Sequence, residues 1–181
     1  MMVARRKQSG LGIVRVRALP GERAKGRLMA GPLTLPCALG RSGITRMKRE
    51  GDGATPAGRF ALIAGFWRAD RLGRPQGGLA WRAIRPGDGW CDAPTDPAYN
   101  RPVTLPYPAS AEEMRRDDHL YDVVIDIAWN RGPIIKGRGS AIFMHCARDG
   151  FAPTAGCVAL RRADLVRLLR LLGPCTLMEI A

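Results

Sequence analysis

Apolar residues alternate with polar or small ones from Leu11 to Leu19 and again from Arg27 to Leu39, with Gly21 and Gly31-Pro32 as breaks, and this pattern predicts strands. Gly58–Phe66 predicts a third strand, and the β-branched and aromatic runs Asp122–Ile127 and Ala141–His145 predict two more. A single long helix is predicted to begin near Arg161. Leu165, Leu168, Leu169 and Leu172 recur there at helical spacing, Asp164 sits in the first turn, and Gly173-Pro174 is the stop. From Pro86 to Pro108 the chain carries Pro94, Pro97, Pro102 and Pro106 as well. Proline removes a backbone donor and fixes φ, so an irregular loop is predicted over 86–108. Trp90, Cys91, Tyr99 and Tyr107 give that loop groups to pack with, and the expectation is a flap over a site. The fold class is mainly β with one helix.

At 181 residues the chain is predicted to be one domain over 1–181, with residues 1–10 disordered. Hydrophobic residues at 46% suffice to bury a core. The net charge of +13 sets up a field that attracts polyanions: nucleic acid, an acidic lipid surface or an anionic wall polymer. No apolar run reaches the roughly 20 residues that a membrane span needs. The basic start Met1 to Lys7 is not followed by an apolar stretch, so no recognisable signal peptide is read there. Five cysteines without paired spacing argue against a disulfide framework.

The densest chemistry lies in the carboxyl third. A strand ends in His145, a turn with Gly150 and Pro153 follows, and Thr154-Ala155-Gly156-Cys157 leads into an apolar run. The thiolate is the nucleophile in thiol catalysis, and an adjacent imidazole is the usual way to populate it. The twelve-residue separation allows a strand, a loop and a return strand that bring His145 and Cys157 to one end of a sheet. Gly156 leaves room for a substrate carbonyl, and the N–H groups of Gly156 and Cys157 are expected to form an oxyanion hole. The competing reading is a buried structural cysteine beside a hydrogen-bonded core histidine.

A second segment, Gly43 to Phe60, is a polar, glycine-punctuated loop containing Lys48, Glu50-Gly51-Asp52-Gly53 and Thr55-Pro56-Ala57-Gly58-Arg59-Phe60. With His145 and Thr154–Cys157 it resembles the YkuD-type L,D-transpeptidase family of peptidoglycan cross-linking enzymes. The resemblance spans roughly Gly40 to Ala181 and implies a mixed β-sandwich with the cysteine at the end of a groove. The family motif usually carries His two residues before the cysteine and Arg or Asn two residues after it; here those positions are Ala155 and Ala159. Arg148 or Arg161 is expected to supply the charge.

The resemblance implies that Cys157 forms a thioester with a donor muropeptide stem and His145 moves the proton. An acceptor stem amine then takes the acyl group, with neither metal nor ATP required. The altered motif and the proline-rich span are more similar to a subgroup that links L-alanine 1 of the donor to diaminopimelate 3 of the acceptor. The common 3,3 linkage is the second choice. Such a substrate places the protein in the periplasm or facing the cell wall.

Among the remaining candidates, His119, Tyr121, Lys48, Thr154 and Trp90 are expected to line the substrate site. For His119 a loop histidine bonded to its neighbours is an alternative. Lys48 is read as steering an anionic substrate, since nothing around it promises burial. Cys146 follows His145 and is expected on the opposite face, buried. Cys91 remains a candidate substrate-facing thiol. A zinc site from Cys91, His119, His145 and Cys157 lacks any short ligand spacing. Two other activities compete: a cysteine peptidoglycan hydrolase in which water resolves the thioester, and a basic module binding nucleic acid. The latter would need a recognition helix or an aromatic-basic face, which 6% aromatic residues do not suggest.

Overall fold

The computed structural model describes residues 10–181, so the disorder expected of residues 1–10 falls, apart from Gly10, outside the described residues. Fourteen strands and one helix follow in chain order. The long amino-terminal strands are β1 (Leu11–Leu19), β2 (Glu22–Ala30) and β3 (Leu33–Ala38), followed by the two-residue β4 (Ile44–Thr45) and β5 (Thr55–Pro56). Next come β6 (Gly58–Trp67), β7 (Trp81–Ala83), β8 (Asp88–Cys91), β9 (Pro102–Thr104) and β10 (Ala111–Glu113). The carboxyl part holds β11 (Val123–Ile127), β12 (Phe143–Cys146), β13 (Val158–Leu160), α1 (Arg162–Leu169) and β14 (Leu172–Ile180).

Nine strands form one mixed sheet in the order β11-β12-β13-β3-β2-β1-β14-β6-β7, and β6 also pairs with β11. The sheet therefore folds back on itself into a β-sandwich, and its interior is filled by Val14, Val16, Leu28, Ile125, Met144, Leu160, Leu165, Leu168 and Met178. α1 contributes the predicted stripe, with Leu165, Leu168 and Leu169 buried. At about 25 cal/mol per Å² of apolar surface, such burial is the main term holding the sandwich together.

Two elements depart from the sequence expectation. Leu172 ends no helix: it opens the nine-residue strand β14, which runs parallel to β1. The register jumps from Leu11↔Leu172 to Ile13↔Leu177, so Gly173, Pro174, Cys175 and Thr176 fall in an irregular bulge where no ladder donor is required of the proline. The proline-rich span is likewise not all loop. Its β8 and β9 join β10 in a three-stranded antiparallel sheet of order β10-β8-β9. Pro102 is tolerated because β9 is an edge strand.

The small sheet packs on the outer face of the large one. Trp90 of β8, Met114, Tyr121, Val124, Phe143 and Cys157 make a second apolar cluster there. Trp90 meets Phe143 edge to face with ring centroids 5.0 Å apart. This second cluster is the floor on which the candidate site is built.

Candidate active site

β12 and β13 run parallel, with Met144 opposite Val158 and His145 opposite Ala159. Because side chains alternate along a strand, Phe143 and His145 face the second cluster, together with Ala159 and with Cys157 just before β13. Met144 and Cys146 point into the main core. Burial pushes the Cys146 thiol up to about 11, and its position leaves it inert as a nucleophile.

The turn carrying Cys157 is tied down at several points. Thr154 N–H donates to the Leu39 carbonyl at 2.9 Å, and Arg41 N–H donates to the Thr154 carbonyl at 3.0 Å. The Thr154 hydroxyl donates to the Cys157 carbonyl at 2.7 Å and accepts from Gly156 N–H at 3.1 Å. The last bond corrects one expectation: the Gly156 N–H serves the turn and is not offered to an oxyanion. Glycine is required there for another reason. Its φ is 142°, and a Cβ would stand 2.8 Å from the Ala54 carbonyl oxygen.

The Cys157 sulfur is held by the backbone. It accepts from Phe143 N–H at 3.4 Å and donates to the Ala141 carbonyl at 3.3 Å. Ala141 itself has φ 51° and donates its N–H to Asn100 Oδ1 at 3.1 Å. Asn100 also accepts from Trp90 Nε1 at 3.0 Å and donates to the carbonyls of Trp129 and Asn130. The proline-rich span thus braces the thiol from beneath.

His145 places Nδ1 2.8 Å from the Cys146 carbonyl. A carbonyl only accepts, so Nδ1 carries the proton and Nε2 of the neutral ring is the basic atom. Burial pushes the imidazole down to about 4, with Arg116 and Arg148 acting in the same direction and the Cys146 carbonyl opposing. Burial pushes the Cys157 thiol up to about 12, reinforced by the Glu112 carboxylate. The resting pair is therefore neutral thiol and neutral imidazole. A carbonyl bound over the sulfur would be attacked as the proton leaves.

Both groups open into a cavity of about 550 Å³. The glycine-punctuated loop gives it Arg41, Lys48, Glu50 and Gly53; the small sheet gives Asp92 and Glu112; the Cys157 turn gives Thr154 and Ala155. Ala155 and Ala159 present only methyl groups to it.

Of the other predicted residues, Thr154, Arg148, Tyr121 and Lys48 line this cavity. Tyr121 is buried, meets His145 edge to face at 5.2 Å and donates its hydroxyl to Glu112 Oε1 at 2.5 Å. Lys48 is buried, against expectation, because Asp52 Oδ1 at 2.5 Å and the Arg49 carbonyl at 2.9 Å satisfy its ammonium.

Trp90 and His119 do not line the cavity. Trp90 is 2% exposed and lies under it, so its place is packing. His119 faces a separate depression and bonds Asp122 at 2.9 Å, beside Arg71 and Arg162 on the same buried carboxylate. Arg161 lies outside the lining and stacks on Phe151 at 5.2 Å. Cys91 is buried and does not line the cavity, and burial raises its thiol. Within 86–108 only Asp92 reaches the cavity. Among the described residues no group of three or more His, Cys, Asp or Glu side chains is arranged to hold a metal ion.

Sequence reasoning missed Arg41, Glu112 and Asn100. No local motif marks them, since each acts through a partner far along the chain.

A family model described as the YkuD L,D-transpeptidase catalytic domain matches residues 25–180. The chain belongs to the YkuD family. Cys157 and His145 both lie within the matched residues, and they share one face of the sheet. No curated protein and no solved structure matches the chain. YkuD enzymes act on peptidoglycan stems, and no helix among the described residues is long and apolar enough to cross a membrane.

Proposed function

We propose that this YkuD protein is a peptidoglycan L,D-transpeptidase that works through a Cys157 thioester and links L-alanine 1 of a donor stem to diaminopimelate 3 of an acceptor. The observation that carries the reading is the placement of Cys157 and His145 on one sheet face at the floor of a cavity large enough for a stem peptide.

In the acylation step the sulfur attacks the L-alanine carbonyl and its proton passes to His145 Nε2. The resulting imidazolium protonates the departing amine of stem residue 2 as the C–N bond breaks. In the second step the acceptor amine attacks the thioester, its proton leaves through the same imidazole, and the thiol is restored. The peptide energy is retained in the thioester, so the exchange needs no further energy source.

The preference for L-alanine 1 over the 3,3 linkage is supported by the small Ala155 and Ala159 side chains and by the wall that Asp92 and Glu112 raise beside the sulfur. We assign the protein to the periplasm or the wall side of the membrane, where its substrate lies.

The test is muropeptide mass spectrometry after incubating wild type and Cys157→Ala with purified disaccharide-tetrapeptide. Cys157-dependent dimers carrying 1,3 linkages are expected. Dimers that fragment only as 3,3 would overturn the linkage, and cleaved monomers without dimers would make the protein a hydrolase. No product at all from wild type would refute the substrate.

A further inference from the structure

The charges on the cavity wall are unevenly satisfied. Lys48 is neutralised by Asp52, and Arg116 is held by Asp118 at 2.7 Å. Among the described residues, Arg41 and Arg148 have no carboxylate partner although both line the cavity. Arg148 is exposed, and its side chain does not cap the short turn that it opens. Arg41 is exposed too, but its backbone is tied to the nucleophile's turn and its side chain lies against glycine backbone.

Its backbone belongs to the nucleophile's own support. Gly40 forms a parallel bridge with Thr154, and Arg41 N–H bonds the Thr154 carbonyl. Its side chain lies flat across Gly53. A Cβ on that glycine would sit 2.7 Å from Arg41 Cζ and Nε and 2.9 Å from Cγ. Gly53 has φ +67°, so the chain there is already shaped for glycine. Arg41 Nη2 also reaches the Gly51 carbonyl at 3.4 Å. The guanidinium is thus held at the cavity by glycine backbone, with its charge uncompensated and its planar donor fork open to a ligand.

We propose that Arg41 is a specificity-determining residue that binds a carboxylate of the donor stem while Cys157 attacks. The inference rests on the stem-peptide reading given under Proposed function, because stem peptides carry several free carboxylates. The glycine pair at 51 and 53 is then the cradle on which this cation lies at the cavity outside any ion pair, the nearby Glu50 and Asp52 being bonded to Tyr99 and Lys48.

The experiment measures kcat/KM for formation of the Cys157 acyl-enzyme by intact-protein mass spectrometry. Two donors are compared: disaccharide-tetrapeptide with free carboxylates and the same compound with its stem carboxylates amidated. Arg41→Gln is expected to lower kcat/KM for the free-acid donor by about 10- to 100-fold, the effect of losing one charge-assisted hydrogen-bonded contact. Wild type is expected to use the amidated donor poorly, and on it Arg41→Gln is expected to change nothing beyond about twofold. Arg41→Lys should recover part of the loss, since it keeps the charge and loses the fork. Arg27→Gln, which removes the same charge from exposed β2, should behave as wild type on both donors.

Equal losses on both donors would make Arg41 a merely structural residue and overturn the proposal, as would an unimpaired free-acid reaction. Failure of wild type to form an acyl-enzyme with either donor is a separate result. It refutes the stem-peptide reading and takes this inference with it.

Discussion

Replacing Gly156 by alanine tests how tightly the fold constrains the nucleophile. The glycine has φ 142°, where L side chains are strained by about 1–3 kcal/mol. The added Cβ would meet the Ala54 carbonyl oxygen at 2.8 Å and Ile142 Cδ1 at 3.1 Å. A side chain tip can yield, but the carbonyl belongs to a loop fixed on the other side by Thr55 Oγ1 accepting from Gly40 N–H at 2.8 Å. Crowding of this kind adds about 1–3 kcal/mol. A combined loss of about 3 kcal/mol lowers the melting temperature of a chain of this size by about 6–12 °C.

Two companion variants separate the contributions. Gly150→Ala meets open space at φ +67° and isolates backbone strain, whereas Gly12→Ala meets open space without a positive φ and should be near neutral. Calorimetry on the three variants should rank them Gly156→Ala, Gly150→Ala, Gly12→Ala in order of decreasing cost. Gly156→Ala melting within 2 °C (about 0.5–1 kcal/mol) of Gly12→Ala would refute the claim that close contact with Ala54 demands glycine.

The neutral resting pair predicts that iodoacetamide labelling of Cys157, followed by peptide mass spectrometry, accelerates with pH and shows no plateau below about pH 10. A plateau near neutrality would mean a thiolate–imidazolium pair at rest. Asp126 is buried, and burial pushes its carboxyl up to about 6 against the opposing Arg131, compared with about 3.9 in an unfolded chain. Folded protein therefore binds this proton more tightly, so its stabilising contribution is complete below about pH 4 and is lost as pH rises through 6. Asp126→Asn should make the change in melting temperature from pH 4 to pH 7 more favourable than in wild type; an unchanged difference would refute the assignment. Asn100→Ala removes the acceptor for Ala141 N–H and Trp90 Nε1 and leaves two carbonyls without their donor. Urea unfolding should show a loss of about 2–4 kcal/mol, with slower Cys157 acylation than wild type; full activity would show that Ala141 keeps its place unaided.

Strands whose two faces differ were readable from the chain. Alternation marks Leu11–Leu19 because one face packs on the core and the other meets water, and the apolar runs at β11 and β12 reflect burial on both faces. β14 was hidden because Gly173-Pro174 signals a helix stop equally well as a bulge. The small sheet was hidden because the proline rule concerns central strands, and whether β9 lies at an edge is settled only by tertiary pairing. The closeness of Cys157 and His145 was legible from their spacing, but the connection is a crossover between parallel strands and not the return strand expected. Lys48 was misread because its burial depends on a turn that returns Asp52 to its ammonium. Arg41, Glu112 and Asn100 were silent because their neighbours at Gly53, Tyr121 and Ala141 come close only after folding.

The parallel pairing of β12 and β13 has an evolutionary side. Their relative position is set by ladder hydrogen bonds at Met144↔Val158 and Cys146↔Leu160, not by the length of the connection between them. The exposed turn at Asp149 and Gly150 lies within that connection, with open space around Gly150. Insertions there would lengthen the rim of the cavity while the spacing of sulfur and imidazole stayed constant. This crossover is a place where new substrate range can be acquired, or engineered by loop grafting, without rebuilding the chemistry beneath it.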